Sequence, residues 1–202
     1  MAREYRLISS DGHLEVPPER WTPRVPKQYQ DRAPRTVRLP DGGDGLLIEG
    51  LPVQAANFLD LRAGRAPQQW QPFGLRVADA AGTGSPEQRV KEQDMDGLDA
   101  EVLFPAMLAG PVVWRNISHD EVYKAVIRAY NDWLAEEYCA VAPERLLGMG
   151  VIPKPTLTTP LRNWSTAPSR GSKGCCWGIS PAGKTTPRLR TISSGRRRST
   201  QA

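Results

Sequence analysis

The sequence has few of the residues that staple or metal-knit a small domain. Its 202 residues include three cysteines (Cys139, Cys175, Cys176) and two histidines (His13, His119). These make neither a disulfide framework nor a self-sufficient zinc site, so a reducing cytoplasm is the expected compartment. Long apolar runs are absent: nothing approaches the roughly 18 residues of a membrane helix. The start Met1-Ala2-Arg3-Glu4-Tyr5 lacks the apolar stretch of a secretory signal. Membrane-spanning and secreted readings are therefore set aside. What is there is ordinary, with 39% apolar and 24% charged residues, enough chain for one sizeable core or two small ones.

The most informative absence is local. No acidic side chain follows Glu144. Residues 1–144 hold 16 basic and 22 acidic side chains, a net of −6, whereas 145–202 hold 11 basic and none acidic. That tail is rich in Pro, Gly, Ser, Thr and Arg and shows no sustained periodicity after Ile152. The step divides the chain into 1–153, an α/β unit, and 154–202, a basic segment read as disordered or out of frame.

Within the first unit, strands and helices alternate. Tyr5 to Ser10 is β-prone and ends at Asp11-Gly12-His13, placing polar groups at the carboxyl end of a strand. Prolines and glycines then interrupt from Val16 to Gly84, a long insertion. In it, Val37-Arg38-Leu39 and Leu46-Leu47-Ile48 flank a Pro-Asp-Gly-Gly-Asp-Gly turn suited to a hairpin. Ser85-Pro86-Glu87-Gln88 reads as a capping box opening a helix to about Met95, with Gly97 as its stop. Ala100 to Phe104 reads as a buried strand. Ser118-His119-Asp120-Glu121 is a second capping box, opening a helix whose apolar residues Val122, Val126, Ala129, Tyr130, Trp133, Leu134 and Val141 fall at helical spacing. Pro143 ends it, and Leu146 to Ile152 is the next strand. This order implies parallel βαβ units.

Four segments in this order carry a family resemblance. They are Ile8-Ser9-Ser10-Asp11-Gly12-His13-Leu14-Glu15, the run from Met95-Asp96-Gly97-Leu98-Asp99 to Phe104-Pro105, Tyr130-Asn131-Asp132-Trp133-Leu134, and the run from Pro143-Glu144-Arg145 to Ile152-Pro153. Together they resemble the amidohydrolase superfamily, in the branch of aminocarboxymuconate-semialdehyde decarboxylase and the resorcylate-type decarboxylases. The resemblance covers about Leu7 to Pro153. It implies a (β/α)8 TIM barrel with a divalent metal, zinc or manganese, that hydrolyses C–N or C–O bonds or decarboxylates a small carboxylated substrate. It also implies a protein that is often homo-oligomeric. In the family the first strand ends in His-x-His or acid-x-His and supplies two metal ligands. The matching positions here are Asp11 and His13, and residues two apart on a strand do point the same way. No other catalytic or substrate-binding residue is assigned.

The resemblance stops after Ile152. Family members bring a further histidine and a late aspartate to the metal, and no histidine or acid lies beyond Glu144. Three strands cannot close a barrel of about 250 residues, so the expectation is an incomplete barrel that is catalytically inactive by itself. Codon arithmetic offers a cause. Cys175-Cys176-Trp177-Gly178, read from the preceding third base, forces Val, Leu or Met followed by Leu-Leu-Gly. Asn163-Trp164 likewise forces a Leu. One permitted shifted reading of 155–202 contains an acidic amphipathic segment and then Gly-Phe-Lys-Gly-Val-Leu-Leu-Gly, the order of a next αβ unit. A frameshift near Lys154 is the resulting hypothesis.

Plainer readings of individual residues stand alongside. Asp11-Gly12-His13 alone is a turn motif. His119 at a helix start faces solvent, Glu15 before Val16-Pro17-Pro18 is a loop residue, Tyr130 and Trp133 are core, and Cys139 is buried and unreactive. The rival function is nucleic-acid binding through Arg188, Arg190 and Arg196-Arg197-Arg198. Against it, aromatic interleaving is limited to Trp164 and Trp177 and no established nucleic-acid signature is present. No specific nucleic acid and no membrane are therefore expected as partners. Cys175-Cys176 lacks the spacing of a zinc or redox pair.

Overall fold

A computed structural model describes residues 4–55, 66–70, 73–79, 84–105, 114 and 116–151. The tail assigned to 154–202, with Cys175, Cys176 and the arginine cluster, lies outside the described residues. Among the described residues no helix is long and apolar enough to cross a membrane.

The fold is mixed α/β. Its main sheet is parallel and uses β1 (Ile8–Leu14), then, after the insertion, Ala100–Pro105, then Leu146–Gly148. The insertion forms a separate antiparallel sheet of β2 (Arg35–Arg38), β3 (Asp44–Leu47) and β4 (Gln54–Ala55). The expected hairpin is present, its strands shifted by a few residues, and the two-residue β4 adds an edge that its short sequence did not announce. Asp44 fixes this sheet: its buried carboxylate pairs with Arg38 and accepts the Val77 N–H at 2.9 Å.

The later main-sheet strands are β5 (Ala100–Pro105) and β6 (Leu146–Gly148), and β5 is central, pairing with β1 on one side and β6 on the other. The Asp99 carboxylate accepts the Arg6 and Leu7 N–H groups at 2.7 and 3.0 Å. These contacts hold the approach to β1 against the approach to β5, so the ladder starts at Ile8↔Ala100. β1 thus runs over Ile8–Leu14 rather than Tyr5–Ser10, and Asp11 and His13 lie inside the strand, not beyond its end.

Two helices cover one face of this sheet. α1 (Pro86–Asp96) starts where expected, with Ser85 Oγ accepting the Gln88 N–H. The Gln88 side-chain nitrogen donates forward to Glu92 at 3.2 Å. Gly97 ends α1 in the left-handed region, φ 70°, with Leu98 N–H reaching back to the Gln93 carbonyl. α2 (Asp120–Trp133) follows an uncapped His119: Ser118 does not cap, because its hydroxyl donates to Glu49. The helix continues through a widened turn, Leu134–Tyr138, and a tighter one, Cys139–Val141. Val122, Val126, Ala129, Tyr130, Trp133 and Leu134 form the buried stripe their spacing predicts, joined by Tyr123 and Ile127, but Val141, beyond the change of pitch, is 44% exposed and does not belong to it.

Contact between the α2 extension and β6 is close. A Cβ on Gly148 would lie 2.7 Å from Cys139 Sγ and 2.8 Å from Leu134 Cγ. Gly148→Ala is expected to cost about 1–3 kcal/mol as overpacking, read as a lower thermal midpoint. An unchanged midpoint would show that the helix yields at no cost.

Candidate metal centre

The two faces of the parallel sheet differ. Register pairs Gly12 with Leu103, Glu101 with Leu146, and Leu103 with Gly148, and these residues face the helices. Glu101 receives Arg89 and Gln93 from α1 there. By alternation the opposite face carries Asp11, His13, Val102, Phe104 and Leu147.

β1 reaches this arrangement through an irregularity. Ser9 pairs with Glu101 and Gly12 with Leu103, so Ser10 and Asp11 together oppose Val102. Beyond this bulge the burial alternates: Asp11 exposed, Gly12 buried, His13 exposed, Leu14 fully buried. Gly12 fits closely on the inner side, where a Cβ would meet the Val102 carbonyl oxygen at 3.1 Å and Leu103 Cδ2 at 3.3 Å. The bulge therefore sets Asp11 and His13 on one face, roughly 6.6 Å apart along the strand at two strand rises. The His13 ring lies against Phe104, centroids 6.5 Å apart.

A carboxylate and an imidazole suit a divalent cation of the zinc or manganese kind. Two donors are fewer than the three protein ligands of a catalytic zinc site. Among the described residues no cluster of three or more His, Cys, Asp or Glu side chains could hold a metal. Asp11 and His13 thus fit such an ion in chemistry and fall short in number.

The remaining expectations divide. His119 is exposed and lies against Tyr29, while Tyr130 and Trp133 are core. Cys139 is buried, and burial pushes its thiol up to about 11, so it is inert as a nucleophile at neutral pH. Glu15 is a loop residue as expected, one position past the end of β1, and it is buried there, 7% exposed. It leaves β1 between Leu14 and Val16, both buried, and its charge reaches Tyr130. An acid placed directly inside the run Leu14-Glu15-Val16 was the available signal.

No protein-family model and no curated protein matches the chain. Among solved structures, the chain is similar in fold to an amidohydrolase from Mycobacterium avium subsp. paratuberculosis, with a TM-score of 0.53 and 22% identity. The match covers 79% of this chain and 44% of that one, so this chain spans less than half of the amidohydrolase's length. At this identity the likeness is one of fold. It agrees with the parallel sheet and its helix-covered face.

Proposed function

We propose that residues 1–153 are the leading part of a metal-dependent barrel of amidohydrolase type, with Asp11 and His13 as two of its metal ligands. The observation that carries this reading is β1 itself, whose bulge turns both side chains onto the sheet face opposite the helices. In a closed barrel that face is the interior, and active sites sit at the carboxyl ends of the strands. The amidohydrolase neighbour supports the same reading through its fold. A divalent cation, when bound, supplies an activated water or a hold on a substrate carboxylate. The residues of this chain would orient it: Asp11 contributes charge, His13 a neutral nitrogen, and Phe104 fixes one side of the imidazole.

The reaction is hydrolysis of a C–N or C–O bond, or decarboxylation, of a small carboxylated substrate. With two ligands the present chain is inactive. The acid-free segment from 154 onward is out-of-frame translation, the remaining ligands being encoded downstream in the alternative frame. Sequencing the gene across codons 150 to 160 tests this. The expected result is a frame break near codon 154, and a corrected chain whose chelator-sensitive turnover is absent from the present one. An unbroken frame in independent reads, or metal-independent turnover by the present chain, overturns the proposal.

A further inference from the structure

β6 is shorter than its sequence suggests. Leu146 to Ile152 reads as one apolar strand, yet pairing with β5 covers only Leu146–Gly148. The reason lies at the carboxyl end of β5. The Arg145 carbonyl accepts the Glu101 N–H at 2.8 Å and the Met149 N–H donates to the Leu103 carbonyl at 2.9 Å, so residues 145 and 149 turn backbone groups toward β5. By the alternation of a strand, Val151 would be the next to do so, with the Pro105 carbonyl as its acceptor. Proline has no N–H to return to the Met149 carbonyl. The next rung could only be half made.

Asn131, in the last turn of α2, does what β5 cannot. Its side-chain nitrogen donates to the Val151 carbonyl at 2.9 Å, and the Val151 N–H donates to its Oδ1 at 2.8 Å. One carboxamide, with a donor and an acceptor side by side, thus meets both backbone groups of a single residue as a neighbouring peptide group would. Val151 is buried, so leaving those groups unmatched would carry their full desolvation penalty. Asparagine is an indifferent helix former, and helix propensity does not account for it at this position. Its two bonds outnumber the one that Pro105 offers.

We propose that Asn131 is a positioning residue that stands in for a strand: by taking both backbone groups of Val151 it parts β6 from β5 after Met149 and sets the direction in which the chain leaves the sheet. Pro105 and Asn131 act together in this. Pro105 withdraws the donor that would extend the ladder, and Asn131 supplies a better partner on the helix side. The strands therefore diverge at their carboxyl ends, one residue past Phe104, which faces His13 across the β1–β5 ladder. In the barrel reading that end is the rim of the active site, but the device depends neither on that reading nor on a bound metal.

The test is nuclear magnetic resonance of the full chain labelled with 15N and 13C. In the parent, scalar coupling through the hydrogen bond is expected between the Val151 amide nitrogen and the Asn131 side-chain carbonyl carbon; its absence overturns the proposal whether or not any variant folds. Asn131→Leu removes donor and acceptor at similar size. Hydrogen exchange at the Val151 amide is then expected to quicken about tenfold, as for one lost hydrogen bond, while the Leu147 and Met149 amides keep their parent rates. A contact absent from the parent, between the Val151 amide proton and the Pro105 α-proton, is expected to appear as β6 closes onto β5. Should all three amides quicken by one common factor, Asn131 would be an ordinary contributor to stability and the proposal would fail. An unchanged Val151 rate in the folded variant overturns it equally. Asn131→Asp keeps the acceptor and loses the donor, so it is expected to retain Val151 amide protection and shift the Val151 carbonyl carbon; a carbonyl signal left in place overturns the two-bond role.

Discussion

Replacing Glu101 with alanine is expected to destabilise the protein by about 3–5 kcal/mol, the range for breaking a buried ion pair by removing one partner. Its carboxylate accepts Arg89 Nε at 2.8 Å and Nη2 at 3.0 Å, and Gln93 Nε2 at 2.8 Å. Neither donor side chain has an easy alternative, because Arg89 is largely buried and Gln93 is 1% exposed. Burial pushes the Glu101 carboxyl up, yet the hydrogen bonds from Arg89 and Gln93 and the Arg89 charge outweigh it and hold the group below its ordinary 4.5. A carboxyl lowered by folding stabilises fully above its unfolded value and loses that contribution as pH falls through the folded one. The parent should therefore lose stability below about pH 4.5, and Glu101→Gln should flatten that acid limb. Urea titration at several pH values measures both. Replacing Arg89 and Glu101 together by leucine should recover most of the loss, since an apolar pair of similar volume can match a buried ion pair. An alanine variant as stable as its parent would mean the pair contributes nothing to docking α1.

Trp21→Ala is expected to be comparably damaging, at about 3–5 kcal/mol for deleting a buried aromatic. The side chain is fully buried against Trp114 and Tyr130 and fastens the turns after β1 to α2. Since whole domains are stable by about 5–15 kcal/mol, far-ultraviolet circular dichroism should show a much lower denaturation midpoint or no cooperative transition. Trp21→Phe keeps most of the ring bulk and should cost less. Equal losses in the two variants would shift the explanation from packing to the indole N–H.

The parts of this fold that are readable from sequence are local. The stop at Gly97, the Ser85 start of α1 and the apolar stripe of α2 follow from residues within a turn or two of one another, and the structure contains all three. The parallel order is readable because strand and helix patterns alternate. What is not readable depends on distant partners. Ser118 has the chemistry of an N-cap, but Glu49, 69 residues away, takes its hydroxyl. Asp99 reaches back 92 and 93 residues to the N–H groups of Leu7 and Arg6, which moves β1 toward its carboxyl end and places Asp11 and His13 within it. The bulge that turns those two residues outward exists only in the pairing with β5, and the Trp21–Trp114–Tyr130 triangle joins segments more than a hundred residues apart in the extreme. The pairing of Asp11 with His13 was visible as a spacing. Which face of the sheet they take, and the burial of Glu15 just beyond them, required the tertiary structure.

Asp11 and His13 are expected to share a bound cation, and paramagnetic broadening tests this on the chain as it stands. Manganese titrated into the 15N-labelled protein should broaden first the amide signals of Asp11, Gly12 and His13 and of Phe104 across the ladder. His13→Ala and Asp11→Ala should each weaken the effect by about tenfold or more, given that even outer partners of a metal ligand matter to that degree. Broadening centred on another acidic surface, such as Asp120 and Glu121, with these four signals untouched and both variants behaving as the parent does, would contradict the claim.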